Sequence, residues 1–154
     1  MLPGERTMYQ HILIPTDGST LSGHAVTWGI GLAKATGARV TGLFVTPAPT
    51  PLVFDGLMPV DYMQPEAHAA LSARAAARAL GVIEKAAQLA DVPCECLTVS
   101  GEYPAEAILE TAASRKCDLI VMASHGRRGL AGVLLGSETQ KVLTHAKGPV
   151  LVCR

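Results

Sequence analysis

Short apolar segments alternate with longer amphipathic segments along the whole of this 154-residue chain. Apolar runs of strand length lie at residues 11–14, 39–45, 94–100, 118–123 and 149–153. The segments between them show helical spacing of their apolar residues. Strands that alternate with amphipathic helices form parallel sheets with helices on both faces. The pattern therefore predicts an α/β fold, a single doubly wound domain with a five-stranded parallel sheet.

The predicted helix ends carry the residue types that begin and end helices. These are a capping hydroxyl, a proline in the first turn and a glycine after the last turn. They occur at Ser19, Pro65, Pro104, Gly37 and Gly148, with a capping-box pair at Ser137 and Gln140. For the first helix the spacing predicts a buried face that includes Ala25, Trp28, Gly29, Leu32 and Thr36.

The balance of positive and negative charges gives no support to two classes of partner, nucleic acid and anionic membranes. Lys and Arg number 13, as do Asp and Glu, so there is no electrostatic argument for binding nucleic acid or an anionic membrane. No apolar run approaches the roughly 18 residues that suggest a membrane span. Residues 1–7 lack the apolar core of a signal peptide. We expect a cytoplasmic protein.

The four cysteines do not form a familiar motif. Cys94 and Cys96 lie two residues apart on one predicted strand, so their side chains share a face. This spacing is not the C-x-x-C of zinc and redox sites. We interpret them, with Cys117 and Cys153, as buried or half-buried thiols, and a metal site is the alternative.

A glycine-rich segment, residues 123–136, joins the fourth predicted strand to the last predicted helix. Glycines let backbone N–H groups approach a ligand, and a helix start adds unpaired donors and a partial positive charge. This arrangement favours a phosphate. It is not a Walker A loop, because no Lys separates Gly136 from Ser137. A purely structural turn is the alternative.

Asp17 lies just after the first predicted strand. Ligands of such sheets bind at the carboxyl ends of the strands. If the first and fourth strands are neighbours, Asp17 faces the glycine-rich segment. The alternative is a local Asx turn with Gly18 and Ser19.

Four segments together resemble the universal stress protein family. They are Ile12–Ser19, Ser124–Gly129, Leu134–Ser137 and Pro149–Val152, and the resemblance spans residues 8–154 in order and spacing. It implies strand order 3-2-1-4-5. It also implies one nucleotide-binding domain over residues 8–154, with residues 1–7 as an N-terminal extension.

ATP-binding members of this family resemble G-x-x-G-x9-G-[ST]. Here the second glycine is Gly126, the third is Gly136 and Ser137 follows, but Ala123 replaces the first glycine. An alanine there is strained only if its φ is positive. The site residues that the resemblance implies are Pro15, Thr16, Asp17, Val45, Ala123, His125, Gly126, Arg127, Gly129, Gly136, Ser137, Glu138 and Thr139.

The resemblance also implies roles for these residues. Asp17 would lie near the ribose or a phosphate-bound metal, and the backbone of Val45 would face the adenine. Gly126 and Gly129 would shape the loop. The phosphates would be held by N–H and hydroxyl groups of Gly136, Ser137 and Thr139. Mg²⁺ would be carried on the phosphates, because such sites rarely have all-protein cages.

Other residues near the loop allow two interpretations each. Arg127 and Arg128 either clamp phosphates or are solvated at the loop rim. His125 is either a base or a locally hydrogen-bonded histidine. The proline-rich residues 47–65 form either a lid over the adenine or a plain connector.

These observations predict a stress-response or signalling module that binds ATP (or ADP or AMP) with little or slow hydrolysis. Phosphoryl transfer needs a positioned base, and neither a base–orienter pair nor a phosphate-binding Lys is evident. The alternatives are a family member that no longer binds nucleotide, and a slow ATPase or phosphotransferase. A homodimer is expected through the terminal strand, Val150, Leu151 and Val152, because an apolar sheet edge invites pairing.

Overall fold

The predicted alternation of strands and helices is present in the fold. The computed structural model describes residues 8–48, 65–126 and 134–154. The strands are β1 (His11–Pro15), β2 (Arg39–Pro47), β3 (Cys94–Gly101), β4 (Leu119–Ala123) and β5 (Val150–Cys153). The helices are α1 (Thr20–Thr36), α2 (Pro65–Ala90), α3 (Pro104–Ser114) and α4 (Ser137–His145). Residues 1–7 and 49–64 lie outside the described ranges, and with them most of the proline-rich segment.

All strand pairs of the sheet are parallel, and the strand order is β3-β2-β1-β4-β5, which confirms the prediction. From β1 the chain moves outward through β2 to β3. It then returns past β1 and continues outward on the other side through β4 to β5. The direction of winding therefore reverses between β1 and β4, and such a switch point is where open α/β sheets bind ligands.

The sheet separates two aliphatic cores because successive strand side chains point to opposite faces. Ile12 and Ile14 of β1 pack with α1 and α2, and Leu13 between them packs with α3 and α4. These three side chains are fully buried. The apolar character of β1 on both faces thus follows from its central position.

The orientation of α1 differs from the sequence prediction. Trp28 is 64% exposed, and the buried residues of the helix are Ser22, Ala25, Val26, Gly29, Ile30 and Ala33. The reason is a close approach at Gly29, where an added Cβ would overlap the side chain of Ile14. Because consecutive helix positions are about 100° apart, a helix that turns Gly29 onto the sheet turns Trp28 away from it.

Both predicted ends of α1 are confirmed. The Ser19 hydroxyl accepts a hydrogen bond from the N–H of Ser22 at 3.2 Å. Gly37 ends the helix in the left-handed conformation with φ of 73°, and its N–H donates to the Ala33 carbonyl. No helix in the described part of the chain combines the length and the apolar character needed to cross a membrane.

A buried polar chain lies at the end of the sheet opposite the switch point. His11 is 4% exposed, and its Nε2 lies 2.7 Å from the Thr41 hydroxyl. Thr41 donates in turn to Glu95 at 3.3 Å, so the Nε2–H of His11 is the donor to Thr41. Nδ1 has no hydrogen-bond partner among the described residues. Burial, and next the charge of Arg39, lower the pKa of His11.

This lowered pKa predicts that acid destabilises the fold. Above the ordinary pKa of about 6.5, His11 is neutral in both states and no penalty applies. As the pH falls below that value, unfolded chains take up a proton that folded ones resist, so the free energy of unfolding decreases. Urea unfolding between about pH 7.5 and 5.5 measures this loss.

The variant that tests this assignment is His11→Gln, which keeps a donor toward Thr41. The pH dependence of stability should be weaker in His11→Gln than in the unaltered protein. An equal dependence in His11→Gln and the unaltered protein would contradict this assignment.

Candidate functional site

The carboxyl end of β1 is held in place by hydrogen bonds before the chain turns into α1. The N–H of Thr16 donates to the Leu43 carbonyl of β2 at 2.9 Å. The Thr16 hydroxyl accepts from the N–H of Gly18 at 3.1 Å and donates to the Ser22 hydroxyl at 3.1 Å. Gly18 has a φ of 78°, a conformation that other residues rarely adopt. Pro15 is buried and pairs with Leu43.

Asp17 lies at the switch point and contacts both of its sides. One carboxylate oxygen, Oδ1, accepts from the N–H of Ser19 at 2.9 Å, which is the predicted Asx turn. The other, Oδ2, faces Gly126 so closely that an added Cβ on Gly126 would overlap it. The two interpretations of Asp17 are therefore compatible, since the turn that fixes the carboxylate also directs it toward the segment after β4.

The two ends of the glycine-rich segment are brought together by backbone contacts. The N–H of Gly136 donates to the Ser124 carbonyl at 2.7 Å, and the N–H of Ser124 donates to the Cys153 carbonyl at 2.7 Å. An added Cβ on Gly136 would lie 3.0 Å from Cβ and 3.1 Å from Cα of His125. A residue larger than glycine would require the start of α4 and the turn after β4 to move apart by a few tenths of an ångström. Arg127 and Gly129, like the rest of residues 127–133, lie outside the described ranges.

The predicted capping box at Ser137 and Gln140 is wrong. Gly136 is the N-cap residue, with φ of −69°, and no side chain caps the helix. Ser137 is already the first helical residue and is exposed. Gln140 instead donates its side-chain amide to the Leu135 carbonyl at 3.2 Å. The helix start therefore lies beside Gly126 and His125 with a backbone cap only.

Two predicted site residues in the first turn of α4 have their side chains engaged elsewhere. Glu138 accepts from the N–H of Ala105 at 2.8 Å and pairs with Lys141 at 3.0 Å. Helix α3 begins after Tyr103 without a side-chain cap of its own, so Glu138 supplies that cap. Thr139 is 2% exposed and donates its hydroxyl to the Ala123 carbonyl at 2.9 Å. The structure thus gives both side chains a structural role, and their predicted part in the nucleotide site stays a prediction.

Ala123, which replaces the first glycine of the motif, is accommodated without backbone strain. It is the last residue of β4, is 9% exposed and pairs with Cys153. Among the described non-glycine residues, positive φ occurs only at Asp91 (56°) and Lys116 (55°). The methyl group of Ala123 therefore costs no conformational energy.

The backbone of Val45 is directed toward the switch point. Along β2, the N–H of Arg39 donates to Gln10, and the carbonyl of Leu43 accepts from Thr16. Because the hydrogen-bonding direction alternates with each residue, Val45 also presents its N–H and carbonyl to the β1 side. After Thr16 the chain leaves the sheet and turns into α1. The N–H and carbonyl of Val45 therefore face the open space beyond the carboxyl end of β1.

His125 and Ser124 form a local pair. Nδ1 of His125 lies 3.1 Å from the Ser124 hydroxyl, and Ser124 is 1% exposed. The predicted site residues include neither Ser124 nor Gly18, which the sequence analysis named only in the family-like segments and in the Asx turn with Asp17. Within the described ranges, no three His, Cys, Asp or Glu side chains are grouped so that they could hold a metal ion. The four cysteines form no disulfide, and within the same ranges they are not grouped as metal ligands either.

Comparison with protein families identifies relatives of this chain. The model of the universal stress protein family matches residues 8–154. A universal stress protein of Methanocaldococcus jannaschii is 36% identical over 147 residues, which cover 96% of this chain and 83% of the relative. A universal stress protein of Thermus aquaticus is 37% identical over 149 residues, which cover 96% of this chain and 100% of the relative.

Solved structures of the same family share the fold. UspA from Lactobacillus plantarum superimposes with a TM-score of 0.75 at 26% identity, covering 95% of this chain and 98% of the other. A universal stress protein in complex with cAMP gives 0.64 at 26% identity, covering 94% and 95%. The family protein of Archaeoglobus fulgidus in complex with dAMP gives 0.67 at 16% identity, covering 95% and 98%, a likeness of fold alone. With the five-stranded sheet, the switch point and the match over residues 8–154, this chain belongs to the universal stress protein family.

Proposed function

We propose that residues 8–154 bind an adenine nucleotide in the crevice between β1 and β4, with ATP and Mg²⁺ as the expected ligands and residues 1–7 as an extension. One observation carries the proposal. The Asp17 carboxylate faces Gly126 across the switch point, beside the start of α4, which has no side-chain cap. A carboxylate, close glycine backbone and a helix N-terminus then border one crevice.

The phosphates would lie over the backbone of Gly126, Gly136 and Ser137. Helix N-termini stabilise anions through their free N–H groups and their partial positive charge. An acidic residue in the first turn would repel phosphate if it pointed into the crevice. The carboxylate of Glu138 is instead held by Ala105 and Lys141, so this repulsion is reduced. Arg127 and Gly129 complete the proposed phosphate loop.

The adenine would be recognised by the N–H and carbonyl of Val45, which face the space beyond the end of β1. Backbone groups at this position recognise the base and do not distinguish nucleotides by their number of phosphates. ADP and AMP are therefore expected to bind as well. Asp17 is placed in the proposal near the ribose or near Mg²⁺ on the phosphates. The orientation of its carboxylate is already fixed by Ser19, which lowers the entropy lost on binding.

The family comparison supports an adenine nucleotide as the ligand class. One of the similar structures contains cAMP and another contains dAMP. The backbone of Ala123 is not strained, so the replacement of glycine adds no conformational cost to nucleotide binding. We expect little or slow hydrolysis, because the side chain of His125 pairs with the Ser124 hydroxyl and not with a carboxylate that would orient it as a base. The expected location is the cytoplasm, in which thiols stay reduced.

Gly136→Val should weaken nucleotide binding. A side chain at this position would collide with the Cα and Cβ of His125, so the start of α4 must move away from the turn after β4. We expect the affinity for ATP with Mg²⁺ to fall at least about tenfold, or ~1.4 kcal/mol, in calorimetric titration.

Gly148→Val is the matched control, because a Cβ there meets nothing within 4 Å. Both variants are first checked for a cooperative thermal transition. Equal ATP affinity in a folded Gly136→Val protein would contradict the proposed phosphate site, as would unmeasurable binding by the unaltered protein.

Asp17→Asn should weaken Mg²⁺-dependent binding without disturbing the fold. The asparagine side-chain oxygen can still accept from the N–H of Ser19, so the Asx turn remains while the negative charge is lost. Removal of Mg²⁺ with a chelator should lower the ATP affinity of the unaltered protein more than that of Asp17→Asn. The same response to chelation in both proteins would show that Asp17 does not act through the metal.

We also propose a homodimer through β5, which is an edge of the sheet. The carbonyls of Pro149 and Cys153 accept from β4, so by alternation Leu151 also faces β4. The N–H and carbonyl groups of Val150 and Val152 consequently face the open edge. Leu151 is 38% exposed, which adds an apolar side chain to this edge. A second copy of the strand would pair with these outward groups.

Val152→Pro tests the dimer without breaking the β4–β5 pairing. Proline removes an N–H that faces outward, a position at which edge strands tolerate it. Sizing by light scattering should give a dimer for the unaltered protein and a monomer for the folded variant. Leu151→Pro, which removes an inward N–H, should in contrast lower the melting temperature. A dimer that persists in Val152→Pro would contradict pairing through β5.

A further inference from the structure

Cys94 and Cys96 lie side by side on β3, at the edge of the sheet remote from β5. Both are on the face covered by α2, and both are half-buried. Among the described strands β3 pairs only with β2, so its outer edge is not constrained by a neighbouring strand. Two thiols on one face of an edge strand form a pair that the proposed nucleotide site does not use.

The strand opposite the thiols leaves room for them. Gly42 of β2 pairs with Cys96, and an added Cβ on Gly42 would lie 2.9 Å from the Cys96 sulfur. The S–H of Cys96 is 3.9 Å from the Leu80 carbonyl, and that of Cys94 is 3.7 Å from the Glu95 carbonyl. Both hydrogen bonds are long, so neither thiol is locked in its position.

The two thiols differ in their tendency to ionise. The hydrogen bond that the Cys96 thiol can donate to Cys94, in place of its long contact with Leu80, lowers the pKa of Cys94 below its ordinary value, although burial and the charges of Glu84 and Glu95 act in the opposite direction. The same interaction, together with burial, raises the pKa of Cys96. Cys94 is therefore the thiol that becomes a thiolate first, with Cys96 beside it as the proton-bearing partner.

A groove between α2 and β3 reaches Cys96, the neighbour of Cys94 on the same face of β3. It has a volume of about 440 Å³ and is lined by Ala73, Ala76, Ala77 and Thr98, with Glu84 and Cys96 at its sides. The alanines leave the groove open beside the sulfur of Cys96. A small uncharged oxidant can enter it, whereas an anionic one is repelled by Glu84.

We propose that Cys94 and Cys96 are a reversible oxidation site for hydrogen peroxide. The Cys94 thiolate attacks the peroxide, forming an S–O bond and breaking the O–O bond, and the leaving hydroxide takes up a proton to become water. The Cys96 sulfur then attacks the sulfenic acid, forming the S–S bond and releasing a second water. Two thiols are oxidised and one peroxide is reduced.

The edge position makes the disulfide sterically accessible and readily reduced. Residues two apart on a strand have Cα atoms about 6.6 Å apart, within the range of about 4.4 to 6.8 Å found for disulfides. The Cβ atoms of such a pair are about equally far apart, beyond the roughly 3.5 to 4.5 Å found in disulfides, so β3 must pucker at Glu95 to close the bond. A strand that pairs on one side only can do this, and strained disulfides are easily reduced.

The other two cysteines provide internal controls. Burial and the charge of Asp118 raise the pKa of Cys117 to about 11. Cys153 is buried, and its pKa is raised by burial. Because the thiolate is the nucleophile, Cys94 should react with a small alkylating reagent at neutral pH more than about tenfold faster than Cys117.

The test treats the reduced full chain with hydrogen peroxide, counts thiols and maps the peptides without reduction. We expect two of the four thiols to be lost. The peptide that contains Cys94 and Cys96 should lose two hydrogens, and a dithiol reductant should restore both thiols. Cys96→Ser should stop at a Cys94 sulfenic acid, trapped by a dione, and Cys94→Ser should form no disulfide within this peptide.

Cys117→Ser is the matched control and should still lose two thiols with the same rate. Oxidation of Cys94 to the sulfinic acid in place of the disulfide would overturn the proposal. So would reaction of Cys117 as fast as Cys94, or a disulfide that joins two chains and leaves Cys94 and Cys96 unlinked. Thermal melts of the reduced variants verify that each is folded.

Discussion

The close backbone contact between the turn after β4 and the start of α4 organises the functional end of this fold. Gly136 packs so closely on His125 that an added Cβ would lie 3.0 Å from the His125 Cβ, and its N–H donates to the Ser124 carbonyl. Ser124 is tied in turn to β5, so strand, turn and helix form one rigid corner. The corner positions the N-terminus of α4 beside Gly126, whose Cα lies against the Asp17 carboxylate. A small change at either glycine would therefore alter the whole crevice.

Much of this fold could be predicted from the sequence because its strands are apolar on both faces and its helices are amphipathic. The strand order and the ends of α1 follow from such local signals and from the family resemblance. The orientation of α1 could not be predicted, since it depends on the contact between Gly29 and Ile14, which are far apart in the sequence. Helical spacing alone placed Trp28 on the buried face, and the close approach at Gly29 turns it outward.

Two contacts near the site could not be predicted for a similar reason. The family resemblance places Glu138 and Thr139 in the nucleotide site, which stays a prediction, but it does not show what their side chains contact within the fold. In three dimensions α3 lacks a cap of its own and draws on Glu138, while Thr139 ties α4 to the carbonyl of Ala123. Contacts of this kind, made with an element far away in the sequence, leave no pattern in the local sequence. The Asx turn of Asp17, in contrast, is local and was anticipated as an alternative.

The central claim is that an adenine nucleotide occupies the crevice between β1 and β4. The most direct test is a titration of uniformly ¹⁵N-labelled protein with ATP and Mg²⁺, followed by amide NMR with assigned resonances. The account predicts the largest shifts at the amides of Val45, Gly126, Gly136 and Ser137, with small changes along β3 and β5. Absence of shifts at millimolar ATP, or shifts confined to the groove between α2 and β3, would contradict it.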